Sequence, residues 1–176
     1  NWGFTATYGP DGSMYGAGIV FSKGFPVSTG AFQTSFGSGK SDCFAGGFDI
    51  GIIKLTPDGT KRVYATYLGG SGNEMPQSLI VDNAGQLIIA GRTDSPNSGA
   101  GAFPANTQIG PGGSWDIFIT KLNAQGSGII GSIRIGGSSN DGANINPCGS
   151  SGATSLQRNY GDEARSEVNL DAAGNI

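Results

Sequence analysis

The sequence predicts an all-β fold on three observations. Glycine is abundant, with 33 residues, and only 13% of the chain is charged. No stretch sustains the 3.6-residue apolar period of a helix, while short β-branched and aromatic runs stand between Gly, Pro, Asn and Asp. Third, the chain repeats itself. Phe48-Asp49-Ile50-Gly51-Ile52-Ile53-Lys54-Leu55 returns 67 residues later as Trp115-Asp116-Ile117-Phe118-Ile119-Thr120-Lys121-Leu122. The same shift carries Gly69-Gly70-Ser71 onto Gly136-Gly137-Ser138. Self-similarity at such a period marks an architecture whose units bury their apolar faces against one another.

Taken in order, the first unit spans 1–68, with strands predicted near 4–8, 14–21, 48–55 and 62–68. The second spans 69–135, with strands near 78–82, 86–92, 115–122 and 129–135. A long link over 136–164 leads to a third unit, whose first strand is placed near 165–170 and which breaks off at Ile176. Four strands in about 70 residues is the content of one propeller blade. The expectation is therefore a partial β-propeller: about two four-stranded antiparallel blades plus the start of a third, a fragment of a larger propeller.

The connections fall into two classes. Tight turns ending in glycine join first to second strands, at Gly9–Gly12, Asp82–Gly85 and Asp171–Gly174, and third to fourth strands, at Thr56–Gly59 and Asn123–Gly126. Each fits a type I turn closed by a left-handed residue. Second-to-third connections, about 22–47 and 93–114, are long and rich in Gly and Ser. In an up-and-down blade, alternate connections share one end of the sheet. The long segments are thus expected at one end, where binding residues concentrate on loops held by a rigid frame.

These motifs resemble the SBBP-type β-propeller repeat. Its pieces stand here as Gly30-Ala31-Phe32, Asp49 to Leu55, Asp58-Gly59, Tyr67 to Asn73 and Val81 to Gly91. A second copy keeps Gly101-Ala102-Phe103, Asp116 to Leu122 and Gly136 to Asp141, but replaces Tyr-Leu with Arg134-Ile135. With Asn159 to Arg165, the wording is similar to very large secreted cell-surface proteins of gliding-type bacteria, cargo of type IX secretion. The resemblance implies an extracellular or cell-surface setting and no enzymatic activity, and it supplies no catalytic residue.

Residue chemistry narrows the functions further. The net charge is −3 and the ten basic residues are scattered, so a nucleic-acid surface is not expected. No apolar run is long enough to insert in a membrane. Without histidine, neither a Ser-His-Asp nor a Cys-His arrangement can be built from these residues, and two cysteines make a poor zinc site. Cys43 and Cys148 could close a loop of about a hundred residues, contributing about 4–5 kcal/mol if they pair; their spacing leaves the pairing open. No cofactor is expected. Calcium is the one ion that the oxygen-rich stretches Asn140-Asp141 and Asp162-Glu163 suit, and no twelve-residue EF-hand spacing is present.

Residues repeated at equivalent positions read as structural. Asp49 and Asp116 are expected to accept hydrogen bonds from neighbouring turns, and Asp82 and Asp171 to bond their own backbone. Lys54 and Lys121 are expected to lay their stems on the sheet with a solvated amine. Phe32, Phe103, Phe48 and Trp115 read as packing between blades. The candidates for binding lie in the long link: Asn140, Asp141, Asn144, Asn146, Arg158 and Tyr160. The leading expectation is a non-enzymatic extracellular scaffold or binding module, displaying loops for adhesion or recognition of a glycan or surface protein. Its neighbours would be the remaining blades of its own chain or a covering partner chain. The alternative is part of a propeller-based glycan-active enzyme, whose catalytic acids lie partly in other blades.

Overall fold

The computed structural model describes residues 2–39, 47–141 and 167–176. They form nine strands: β1 (Trp2–Tyr8), β2 (Met14–Val20), β3 (Asp49–Leu55), β4 (Arg62–Leu68), β5 (Glu74–Val81), β6 (Leu87–Thr93), β7 (Thr107–Ile109), β8 (Asp116–Leu122) and β9 (Ile129–Ile135). No helix occurs among the described residues. Sheet 1 has the order β1-β2-β3-β4 and sheet 2 the order β5-β6-β8-β9-β7. Apart from β7, which runs parallel to β9, every pairing is antiparallel.

Local chemistry sets the hairpins. Asp82 Oδ1 accepts the Ala84 and Gln86 amides, each at 2.9 Å, and Gly85 closes the turn at φ 74°. Asp171 repeats the device with Ala173 and Asn175. A left-handed residue is needed at this corner, and glycine adopts it without a Cβ clash.

The strands then alternate, and the alternation decides what each sheet buries. Tyr15 and Ala17 of β2, Ile50 and Ile52 of β3, and Tyr64 and Leu68 of β4 share one face of sheet 1. They pack in a single core with Leu79, Leu87, Ile89, Phe118 and Leu122 of sheet 2. Burying each such aliphatic or aromatic side chain contributes about 1.5–3 kcal/mol relative to exposure. At the far ends of these strands, Ile19, Phe48, Met75 and Trp115 extend the contact. Phe103 packs on Phe118 with ring centroids 4.6 Å apart.

Sheet 2 repeats the arrangement on its other face. Ile88 and Ala90 of β6 hold Val168, with Leu170 against the same cluster, and the Val168 amide donates to Ser78 Oγ at 3.1 Å. Val168 stands three residues before the Asp171 turn, as Leu79 stands three before the Asp82 turn. The residues that follow each sheet therefore lie on the equivalent face of it.

Several boundaries differ from the sequence expectation. β5 begins at Glu74 rather than near 78, because the edge of the sheet accommodates Pro76 beside a register shift between Pro76 and Ser78. The short β7 was not expected. Residues 167–170 lie on sheet 2 without forming a ladder, and 165–166 fall outside the described residues.

The largest difference concerns the second-to-third connections. They do not simply gather at one end. Residues 25–33 run along the free edge of β4: Ser28 N donates to Ala65 O (2.8 Å), Ala65 N to Ser28 Oγ (3.0 Å) and Tyr67 N to Gln33 O (3.0 Å). Phe32 N reaches Gly126 O, in the tight β8–β9 turn, at 2.9 Å. In sheet 2, β7 covers the free edge of β9 in the same way. An open edge presents a row of unpaired N–H and C=O groups, and these connections satisfy it. Hydrophobic periodicity carries no trace of that demand.

Candidate functional site

The two links between units are built alike. In the first, Phe48 N donates to Asn73 Oδ1 (3.0 Å), Glu74 N to Phe48 O (3.0 Å), and Gly70 N to Glu74 Oε2 (3.1 Å). In the second, Trp115 N donates to Asn140 Oδ1 (3.3 Å), Asp141 N to Trp115 O (2.7 Å), and Gly137 N to Asp141 Oδ2 (2.6 Å). Asn140 and Asp141 thus match Asn73 and Glu74 one for one. As binding candidates they were set apart by their place in the long link, yet they repeat, and an oxygen of each is engaged by backbone. The remaining candidates, Asn144, Asn146, Arg158 and Tyr160, lie outside the described residues, as do Cys43, Cys148, Asp162 and Glu163.

The links differ in charge. In the second, Arg134 Nε donates to Asp116 Oδ2 at 2.6 Å, with both side chains buried, and Arg134 Nη1 donates to Ser95 O at 2.5 Å. Gly113 N adds a bond to Asp116 Oδ1 at 3.0 Å. In the first link the place of Arg134 is taken by Tyr67. Its hydroxyl instead accepts the Phe25 amide at 3.1 Å, and its ring packs against Phe25 and Phe36.

Asp49, the counterpart of Asp116, therefore meets no guanidinium among the described residues. Its Oδ2 accepts the Gly37 amide at 2.7 Å, while its buried Oδ1 has no hydrogen-bond partner. Burial pushes the carboxyl up to about 6, against the pull of the Gly37 amide. Glu74 is also fully buried, its Oε1 accepting Thr93 Oγ1 (2.6 Å) and Ser95 Oγ (2.5 Å). Burial, reinforced by the charge of Asp49, pushes Glu74 up to about 7 despite those hydrogen bonds. The two acids converge on Gly69: a Cβ built there would sit 2.5 Å from Glu74 Oε2 and 2.9 Å from Asp49 Oδ1.

Other residues singled out by the sequence fall into place around this frame. Phe48, Phe103 and Trp115 are buried, and Phe32 packs on the main core, in keeping with a packing role. Lys54 and Lys121 are less solvated than expected. Lys54 Nζ lies 4.9 Å from the Tyr15 ring centroid and 3.6 Å from Asp11, and Lys121 pairs with Asp82 at 2.9 Å. No group of three or more His, Cys, Asp or Glu side chains placed to hold a metal ion occurs among the described residues. No helix among them is long and apolar enough to cross a membrane.

Two depressions lie on the outer faces of the sheets among the described residues. One, of 330 Å³, lies on the outer face of sheet 1, lined by Gly16, Gly18, Gly51, Ile53, Val20 and Phe25. The other, of 550 Å³, lies on the outer face of sheet 2 beside Ile119, Ile133, Ile135 and Ile176. Neither contains a charged pair fit for acid–base chemistry. The acid pair at the first link was not read from the sequence. Its signal was the exchange of Tyr67 for Arg134 between copies, which removes from Asp49 the guanidinium that Asp116 has. No protein-family model and no curated protein matches the chain.

Proposed function

We propose that the chain is repeated framework from an extracellular β-propeller of the SBBP type that its motifs resemble. It serves as a non-enzymatic scaffold or binding module, presenting loops for adhesion or recognition at the cell surface. One observation carries the reading. The outer face of sheet 1, at Gly16, Gly18 and Ile53, is equivalent by repeat to the face of sheet 2 at Ile89, Gly91 and Thr120. In sheet 2 that face is turned toward sheet 1. In sheet 1 it is an apolar, glycine-floored depression. A further blade, from the same chain or a partner, is the occupant that this equivalence favours.

The test is sedimentation of the chain beside its Ile53→Asp variant. The reading expects concentration-dependent association through the open face, abolished by the new charge. A monomer that melts cooperatively and is indifferent to Ile53→Asp contradicts it. Replacing 142–166 with a short turn then separates the functions. A binding module loses glycan or surface-protein retention, whereas the glycan-active alternative requires turnover that disappears when Asp141, Asp162 and Glu163 are all changed to amides.

A further inference from the structure

Asp49 opens β3 in sheet 1 and Glu74 opens β5 in sheet 2, so their meeting point is the seam between the two sheets. Two buried carboxylates cannot both stay ionised beside each other without a compensating charge. Among the described residues, the groups facing the pair come from three segments. Gln33 and Gly37 approach from the connection along β4, Thr93 and Ser95 from the end of β6, and Gly69 and Gly70 from the link itself. Asp94 lies next in line, accepting the Asn73 amide. Arg134 comes as near as the Ser95 carbonyl, but its Nε is committed to Asp116. No ion pair to Asp49 or Glu74 forms among the described residues.

A bound metal ion is a poor solution here. Glu74 Oε1 is taken by Thr93 and Ser95 and Asp49 Oδ2 by Gly37, so beside Gly69 stand only Asp49 Oδ1, which has no partner, and Glu74 Oε2, which accepts the Gly70 amide alone. A hard cation such as calcium takes about six to eight oxygens. A proton needs only those two.

We propose that Asp49 and Glu74 share one proton at neutral pH, making the seam between the sheets a clasp that is closed in acid and loosened in alkali. A proton carried on Glu74 Oε2 supplies the donor that Asp49 Oδ1 lacks. Its removal leaves two like charges inside a sealed joint, driving the sheets apart. The second link carries the contrasting solution, a built-in guanidinium in place of a proton.

The experiment is equilibrium unfolding of the full chain from pH 4.5 to 8, for the wild type, Glu74→Gln and Asp49→Asn. The infrared carbonyl band of protonated carboxylic acid is recorded on the folded protein at pH 7. The wild-type folding constant is expected to fall by up to about a hundredfold per pH unit between about pH 5 and 6, where the fold holds a proton on each acid that the unfolded chain has lost, and by about tenfold from about pH 6 to 7, where it holds one. In Glu74→Gln, where the amide donates permanently to Asp49, that fall should vanish, and the wild-type infrared band should disappear with it. A wild type as flat as Glu74→Gln, or one lacking the band at pH 7, overturns the proposal. If either variant fails to fold, the wild-type band decides.

Discussion

Sheet 1 and sheet 2 are two copies of one unit that differ in what covers them and in how they balance buried charge. Sheet 2 meets sheet 1 on one side and Val168 and Leu170 on the other, and every residue of β6 is buried. Sheet 1 meets sheet 2 on one side only, and alternate residues of β2 remain partly exposed. At the matching seam position, sheet 2 holds Asp116 with Arg134, while sheet 1 sets Asp49 beside Glu74. One backbone design thus tolerates two electrostatic solutions. The difference teaches that the shared hydrogen bonds to Asn73, Glu74, Asn140 and Asp141 keep the form of the link, while a single exchange, tyrosine for arginine, sets its response to pH.

The comparison breaks most visibly if its guanidinium is removed. Arg134→Met should leave Asp116 buried and uncompensated, destabilising the fold by about 3–5 kcal/mol in urea unfolding. Tyr67→Met has no such charge to strand, and its loss should reflect packing and the hydrogen bond to the Phe25 amide, about 2–4 kcal/mol.

Next comes the effect of pH on the first seam, whose sign follows from the raised values. Asp49 and Glu74 ordinarily titrate near 3.8 and 4.5 and are held at about 6 and about 7 in the fold. Between those limits the folded chain binds more protons than the unfolded chain, so stability falls as pH rises from about 4 to about 7 and then levels off. With both shifts acting, the loss should be on the order of 6 kcal/mol, measured by unfolding at fixed ionic strength. The turn acids work the other way. Asp58, Asp82 and Asp171 are held below their ordinary value, Asp58 and Asp171 by bonds to their own turns, and Asp82, against the upward push of its burial, by Lys121 and its turn. Their contribution is present above about pH 4 and is lost below it. Stability should therefore peak in mild acid, near pH 4–5.

A steric probe sharpens the seam itself. Gly69→Ala places a methyl against both carboxylates and should cost about 1–3 kcal/mol. Gly131→Ala, where a Cβ would meet nothing within 4 Å, should change stability by less than about 0.5 kcal/mol. The smallest expected effect is in the hairpins. Asp82→Ala removes the acceptor of two turn amides and should cost about 1 kcal/mol, without altering the pH profile above 5.

Much of this frame was legible in the sequence. The eight long strands follow from apolar runs and turn residues, and the equivalence of Asp49 with Asp116 from the repeat. What was not legible depends on neighbours distant in sequence. β7 and the connection over 25–33 form because sheet edges demand partners, and Pro76 hides the start of β5 by breaking the strand signal. Asn140 and Asp141 stand beside a long link that hides their equivalence to Asn73 and Glu74, one repeat earlier. The convergence of Asp49 with Glu74 could not be seen, since it arises only when sheet 2 docks on sheet 1.

The central claim is that the two sheets are successive copies stacked in one sense, with the first copy covered on one face. Residue-resolved amide hydrogen exchange on the folded monomer tests it most directly. The account predicts that β6 and β8, shielded on both faces, exchange slowest, with β2 and β3 opening at lower free energy. Protection in β2 and β3 greater than in β6 and β8 would contradict it, because no stacking of equivalent units leaves the singly covered copy the better sealed.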